Sequence, residues 1–285
     1  MKLTNDMRVL IVGLGLIGGS YAKALTKKGY HVSAITRSPS TIDYALANGI
    51  IAEGSADIDP NLIEKADLLV LALYPQVLID WLRENQQYLK SGAILTDVTG
   101  VKGSVVYEVQ ALLRKDVEFI AAHPMAGREV YGIENSDEKI FQKANYIVTP
   151  TEKNTEEAIC LCEQLGWELG FARVSRLSPE EHDDMIGFLS QLTHCIAICL
   201  MNCNDTPGME AYTGDSFRDL TRIARINDKM WSELFMRNRD MLLHHMDAFS
   251  ESFGQFRDML DKGDMEGMRE AMRRSTARRA LFDKK

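Results

Sequence analysis

Arg8-Val9-Leu10-Ile11-Val12-Gly13-Leu14-Gly15-Leu16-Ile17-Gly18-Gly19-Ser20 decides how the rest of the chain is read. Residues 9–12 have the length and the β-branched content of a buried parallel strand. Gly13, Gly15 and Gly18 then occupy the three fixed positions of G-x-G-x-x-G. Gly13 lets the backbone turn sharply, Gly15 admits a pyrophosphate to the main chain, and Gly18 brings the next helix close to the strand. That helix, predicted over 16–28, aims its first N–H groups, those of Leu16 and Ile17 among them, and its positive dipole end at the phosphates. Gly29 as a stop and a second strand at 31–36 complete the order of a βαβ unit. The pattern predicts an α/β fold: a Rossmann-type, mostly parallel sheet domain over 1–176, followed by an all-α domain over 177–285.

What stands at the end of the second strand selects the dinucleotide. An NAD site usually places a carboxylate there for the ribose 2′-hydroxyl. Here the residues are Thr36-Arg37-Ser38, with no charge to repel a 2′-phosphate and a guanidinium able to pair with one. NADP is therefore expected, with NAD the alternative if Arg37 is simply a surface residue. Strand 66–73 ends at Tyr74-Pro75-Gln76, which makes Tyr74 and Pro75 candidate walls of the cofactor site, since ligands of open parallel sheets sit beyond the strand ends. Pro75 equally suits the first turn of the helix expected over 77–89. Further helices are expected over 43–48, 105–113 and 155–165, and further strands over 50–52, 93–96, 117–122, 145–150 and 171–175, giving a sheet of about eight strands. His123 follows strand 117–122 directly. At the exit of a parallel strand it would face the glycine loop, with a pKa suited to taking a proton near neutrality.

Beyond Pro179 only helical patterns remain. Segment 180–202 is apolar enough to be buried on most faces. Its Cys195, Cys199 and Cys203 form one stripe, read as core residues rather than metal ligands because no paired Cys or His answers them. Arg218 and Arg222 share a helix face. The long amphipathic run 230–260 needs a partner surface, and a second copy of the chain, giving a homodimer, is the expected one.

Composition narrows the field. The 285 residues carry 26% charged and 45% hydrophobic side chains and a net charge of −8, an ordinary soluble balance with no general attraction to nucleic acid. Five cysteines without framework spacing fit a reducing, cytoplasmic compartment. Neither a basic-then-apolar leader at Met1–Asp6 nor an apolar stretch long enough to cross a bilayer is expected from the pattern, so no membrane partner is expected.

Together these pieces resemble the prephenate dehydrogenase family along nearly the full length. The resemblance is carried by Gly13–Ser20, Asp97-Val98-Thr99-Gly100-Val101-Lys102, His123-Pro124-Met125-Ala126-Gly127, His182-Asp183 with Ser190 and His194, and Phe217-Arg218-Asp219-Leu220-Thr221-Arg222-Ile223-Ala224. It implies oxidative decarboxylation of prephenate to 4-hydroxyphenylpyruvate with a nicotinamide dinucleotide, in tyrosine synthesis. His123 matches the family's catalytic histidine and Arg222 its substrate-binding arginine, with Arg218 assisting. His194 also matches a family position, which implies a catalytic role at the substrate against the alternative of a satisfied core histidine, and His182 carries less weight because it equally suits a helix start. Relatives often have serine at Gly100, whose hydroxyl Thr99 or a water could replace, and histidine at Gln191; Thr99 and Gln191 are accordingly expected to contact the substrate. Glu129 could hold the ammonium of arogenate, the transaminated substrate. The alternatives are arogenate dehydrogenase, a β-hydroxy acid dehydrogenase, and a non-catalytic NADPH-binding redox sensor.

Overall fold

The structure is a computed structural model and describes residues 2–128 and 130–283. It resolves into two compact units, Met1–Asn238 and Arg239–Lys285.

The first unit is built on a six-stranded parallel sheet of β1 (Arg8–Val12), β2 (His31–Ile35), β3 (Glu53–Ser55), β4 (Leu68–Leu71), β5 (Ile94–Asp97) and β6 (Glu118–Phe119), in the order β3-β2-β1-β4-β5-β6. The order reverses at β1 and β4, and the glycine turn leaves β1 at that point, where a crevice opens beyond the strand ends. The connecting helices are α1 (Leu16–Lys27), α2 (Pro39–Ala47), α3 (Pro60–Lys65), α4 (Pro75–Asn85) and α5 (Gly103–Leu112). Central strands β1 and β4 are buried on both faces, which is why they read as unbroken apolar runs.

Three strand expectations are corrected. The eight-stranded sheet is two sheets, because the run 117–122 divides at Ile120: β6 ends the parallel sheet, and β7 (Ala121–Pro124) starts a second one with β8 (Asn145–Thr149) and β9 (Arg173–Arg176). β7 runs antiparallel to β8, pairing His123 with Ile147; His123 thus leaves an antiparallel ladder, not a parallel strand. The third strand is 53–55 rather than 50–52. Ile50 and Ile51 are apolar because they are buried against α1 and α2, not because they pair in the ladder. Helix α3 carried no signal in periodicity, but Asp59 caps it from the side and Pro60 opens it.

After α6 (Glu156–Glu168) and β9, the chain is helical: α7 (Pro179–Ile186), a π-helical turn at Gly187–Leu192, α8 (Thr193–Asn202), α9 (Asp215–Thr221) and α10 (Asp228–Arg237). Ser178 and Glu181 form a capping box at the start of α7. By length and composition the continuous helix Pro179–Asn202 is able to cross a bilayer, which corrects the earlier reading of that segment. Its buried polar residues, however, are hydrogen-bonded inside the first unit, as described below. Nor is it buried on most faces, since Met185, Phe188, Leu189 and Met201 are exposed. The expected helix 230–260 is broken at Asn238, a buried residue that ends α10. The second unit holds α11 (Arg239–Asp261) and α12 (Met265–Arg279), and exposes Phe249, Phe253, Phe256 and Leu260.

Candidate active site

The glycine turn has the geometry of a pyrophosphate cradle. Gly13 sits at φ +96°, a conformation side chains rarely adopt, and a Cβ there would lie 2.4 Å from the Ala72 carbonyl oxygen. A Cβ at Gly18 would lie 1.9 Å from the Gly13 carbonyl oxygen, so α1 can approach β1 only without one. At Gly15, by contrast, a Cβ would meet nothing within 4 Å. Gly15 is also the N-cap of α1 and supplies no side-chain acceptor, which leaves the first-turn N–H groups of Leu16, Ile17 and Gly18 directed into that open space. The residues present therefore fit a dinucleotide diphosphate. At the end of β2, Arg37 is exposed, while the Ser38 hydroxyl caps α2 through the Thr41 N–H. Tyr74 is exposed and its hydroxyl accepts from Asn227 at 3.1 Å; Pro75 is buried at the start of α4.

A second constellation forms around His123. The loop after β5 ends in a fully buried ion pair, Lys102 Nζ to Asp97 Oδ2 at 2.7 Å. Lys102 also donates to the Ala122 carbonyl at 2.6 Å and the Thr99 hydroxyl at 3.2 Å, and Asp97 Oδ1 accepts from the Ala122 N–H at 3.0 Å. Both peptide groups of the residue before His123 are thus fixed by one buried pair. The Thr99 hydroxyl lies between the Asp97 carboxylate and the Val101 carbonyl. It is committed to this cluster, and does not stand in for a serine at position 100.

From the imidazole a chain of hydrogen bonds runs inward. His123 Nδ1 is 2.8 Å from His182 Nε2, and His182 Nδ1 is 2.8 Å from Asp183 Oδ1. Asp183 in turn accepts the backbone N–H groups of Lys102 and Gly103, each at 2.8 Å, and so caps α5, which has no cap of its own. A carboxylate only accepts, so His182 donates through Nδ1 and accepts at Nε2, and His123 must donate through Nδ1. The remaining lone pair of His123 is therefore on Nε2. A Cβ at Gly100 would stand 3.7 Å from that nitrogen and equally far from Leu234 Cδ1; the absent side chain leaves ordinary contact space beside the imidazole. Burial, the neighbouring His182 and the Lys102 ammonium hold the His123 pKa well below its usual value. Burial also lowers that of His182.

Helix α10 joins the other pieces to this chain. Leu234 reaches Gly100, and three residues earlier on the same face Trp231 stacks on His194 with ring centroids 3.8 Å apart. His194 Nδ1 donates to the Ser190 carbonyl at 2.8 Å. The π turn between α7 and α8 winds more slowly than the ~100° per residue of an α-helix. It thereby carries Gln191 and His194 toward the side of α10. Gln191 is buried, accepting from Asn238 at 2.8 Å and donating to the Leu234 carbonyl at 3.3 Å, while Asn238 also donates to the Asp183 carbonyl. Its amide is an internal strut, which corrects its reading as a substrate contact.

The remaining expected residues are more dispersed. Arg222 is exposed in the short turn that follows α9. Arg218 donates to Thr213 and Asp215 and lines a groove of about 510 Å³ with Ile198, Met201 and Phe217, whose walls include neither His123 nor Gly100. Glu129 lies outside the described residues. Sequence reasoning gave no role to Asp183 and little weight to His182. The available signal was the dipeptide itself, one turn into a boxed helix, where a buried histidine followed by a carboxylate has few purely structural uses.

The model of the nucleotide-binding domain of prephenate dehydrogenase matches residues 21–174, and that of the prephenate dehydrogenase dimerization domain residues 178–274. The chain is 29% identical to the prephenate dehydrogenase of Bacillus subtilis, over 93% of this chain and 73% of that protein. It is 30% identical to the cyclohexadienyl dehydrogenase of Zymomonas mobilis, over 98% and 97%. Among solved structures, it superposes on the prephenate dehydrogenase of Aquifex aeolicus in complex with hydroxyphenyl propionate and NAD+ with a TM-score of 0.89, at 29% identity and covering 97% of this chain and 98% of that one.

Proposed function

The chain belongs to the prephenate dehydrogenase family, and we propose that it decarboxylates prephenate oxidatively with NADP, using His123 as the base. It is a nicotinamide-dependent dehydrogenase with a Rossmann-type nucleotide-binding domain. The observation that carries the catalytic assignment is the hydrogen-bonded orientation of the imidazole: its Nδ1 is committed to His182, which leaves the lone pair on Nε2, beside Gly100. The base takes the proton of the ring hydroxyl as hydride leaves the same carbon, and loss of the carboxylate then makes the ring aromatic. The bound nicotinamide supplies the hydride acceptor. Gly13, Gly15, Leu16, Ile17 and Gly18 hold its diphosphate by backbone groups, with Tyr74 and Pro75 as walls. Thr36, Arg37 and Ser38 read the 2′-phosphate.

Arg222 binds a substrate carboxylate, and His194 on its Trp231 platform contacts the substrate from the α10 side; Arg218, bonded to Thr213 and Asp215 in a groove that does not include His123, is not assigned to the substrate. The keto acid is favoured over arogenate because the two carboxylates of the His123 network are already engaged, Asp97 by Lys102 and Asp183 by His182 and the start of α5. The exposed apolar faces of Pro179–Asn202 and of α11 support a homodimer. Five unpaired cysteines support a cytoplasmic location.

Steady-state assay of prephenate and arogenate, each with NADP and NAD, tests this reading. The prephenate–NADP pair is expected to have the highest kcat/KM, with one CO2 released per reduced cofactor. No turnover of prephenate with either dinucleotide would refute it.

A further inference from the structure

The proton balance of the reaction sets a condition that a lone base does not meet. The substrate gives up hydride and CO2, and the product keeps a hydroxyl on the oxygen that was deprotonated, so no net proton is released. The proton taken from the oxygen must be held somewhere while the ring loses its carboxylate, and then returned. His123 is a poor place to hold it. Its ring bonds a second imidazole and the Lys102 ammonium acts against a positive charge on it, whereas His182 Nδ1 is bonded to the Asp183 carboxylate; the Asp97 carboxylate is already engaged by Lys102, Thr99 and the Ala122 N–H.

Resting on the reading of His123 as base, we propose that His182 and Asp183 form a proton store: the proton passes through His123 to His182 and returns when the ring becomes aromatic. The geometry is a continuous line, 2.8 Å from His123 Nδ1 to His182 Nε2 and 2.8 Å from His182 Nδ1 to Asp183 Oδ1. As the substrate O–H bond breaks, its electron pair forms the carbonyl and its proton bonds to His123 Nε2. The Nδ1–H bond of His123 breaks while an Nε2–H bond forms on His182. His123 is then neutral, and His182 is a cation in contact with a carboxylate that is itself fixed by two backbone N–H groups. The charged groups facing the pair are Asp183, Lys102 and Asp97. Once the bond to the leaving carboxylate breaks and its electrons enter the ring, the oxygen becomes a phenolate, and the same two transfers run in reverse. Asp183 stabilises the transferred charge without leaving its cap on α5.

The test separates support of His123 from storage. In His182→Gln the amide oxygen still accepts from His123 Nδ1 and keeps the tautomer, but it cannot carry a proton. Single-turnover rates in mixtures of H2O and D2O are measured for the wild type and this variant, together with KM for substrate and cofactor. Expected are a curved proton inventory in the wild type, a linear one in His182→Gln, and a rate at least ~10-fold lower in the variant with both KM values within about twofold. A wild-type rate in the variant, an inventory that does not change, or a linear inventory in the wild type itself would each overturn the store. His123→Asn distinguishes the two readings. If it retains turnover, the base assignment fails; if it is inactive while His182→Gln is fully active, only the store fails.

Discussion

His123 is neutral in the folded protein because its surroundings penalise the charged form from every side: burial, a second imidazole in hydrogen-bond contact and an ammonium nearby. With its folded pKa held below the ordinary ~6.5, the base stays active into mildly acidic solution. The acid limb of kcat/KM is expected below pH ~6.5, and a limb at or above that value would contradict the assignment. Stability follows the same sign. Below about pH 6.5 the unfolded chain takes up protons that folded His123 and His182 resist, so the stability present above that pH is lost progressively toward the lower folded values. Thermal melts across pH 5 to 7.5 check this. At the cofactor end, Arg37→Ala is expected to lower the ratio of kcat/KM for NADP over NAD by about 10-fold or more, the scale of a lost charge-assisted pair; an unchanged ratio would mean that Arg37 reads nothing.

Among the elements, α1 and the loop after β5 carry the tightest constraints. Replacing Gly18 with Ala sets a methyl group 1.9 Å from the Gly13 carbonyl oxygen, so α1 must move away from β1 and its N–H groups away from the diphosphate. Dinucleotide affinity, measured by calorimetric titration, is expected to fall at least ~10-fold. The buried Lys102–Asp97 pair joins the end of β5 to both peptide groups of Ala122 in β7, and so ties the parallel sheet to the antiparallel one. Lys102→Met leaves the Asp97 carboxylate buried without its partner. A loss of about 3–5 kcal/mol in denaturant unfolding is expected, and a loss under ~1 kcal/mol would show that the pair is not a structural tie.

At the scale of the whole molecule, the apolar side chains without a partner are the informative feature. Phe253 is 67% exposed on α11 and Leu260 65%, in a chain whose C-terminal region matches a dimerization-domain model. Light scattering is expected to give twice the 32.1 kDa chain mass, and Phe253→Asp to shift the protein toward monomer. A monomer at micromolar concentration in the unaltered protein would refute the dimer.

Local pattern alone was enough for the glycine turn and the β1–α1–β2 unit. A glycine whose Cβ would strike the carbonyl five residues earlier and a helix with an uncapped N-terminus are each written in a few consecutive residues, because the atoms concerned lie within about a turn of chain, and an unbroken apolar run marks a strand that layers on both faces will bury. The same holds for His123 as a candidate, and for the helical character of everything past Pro179. Only the tertiary structure decided which nitrogen of His123 keeps its lone pair, since that rests on His182 and Asp183, 59 and 60 residues away, meeting the start of α5. It alone divided residues 117–124 between two sheets, as an apolar run reads alike in either ladder until its partner strand is known. It also turned Thr99 and Gln191 inward, to Lys102 and Asn238. A polar side chain bonds whatever folding brings within 3 Å of it, and for these two residues those partners were ones that neither spacing nor residue type could reveal.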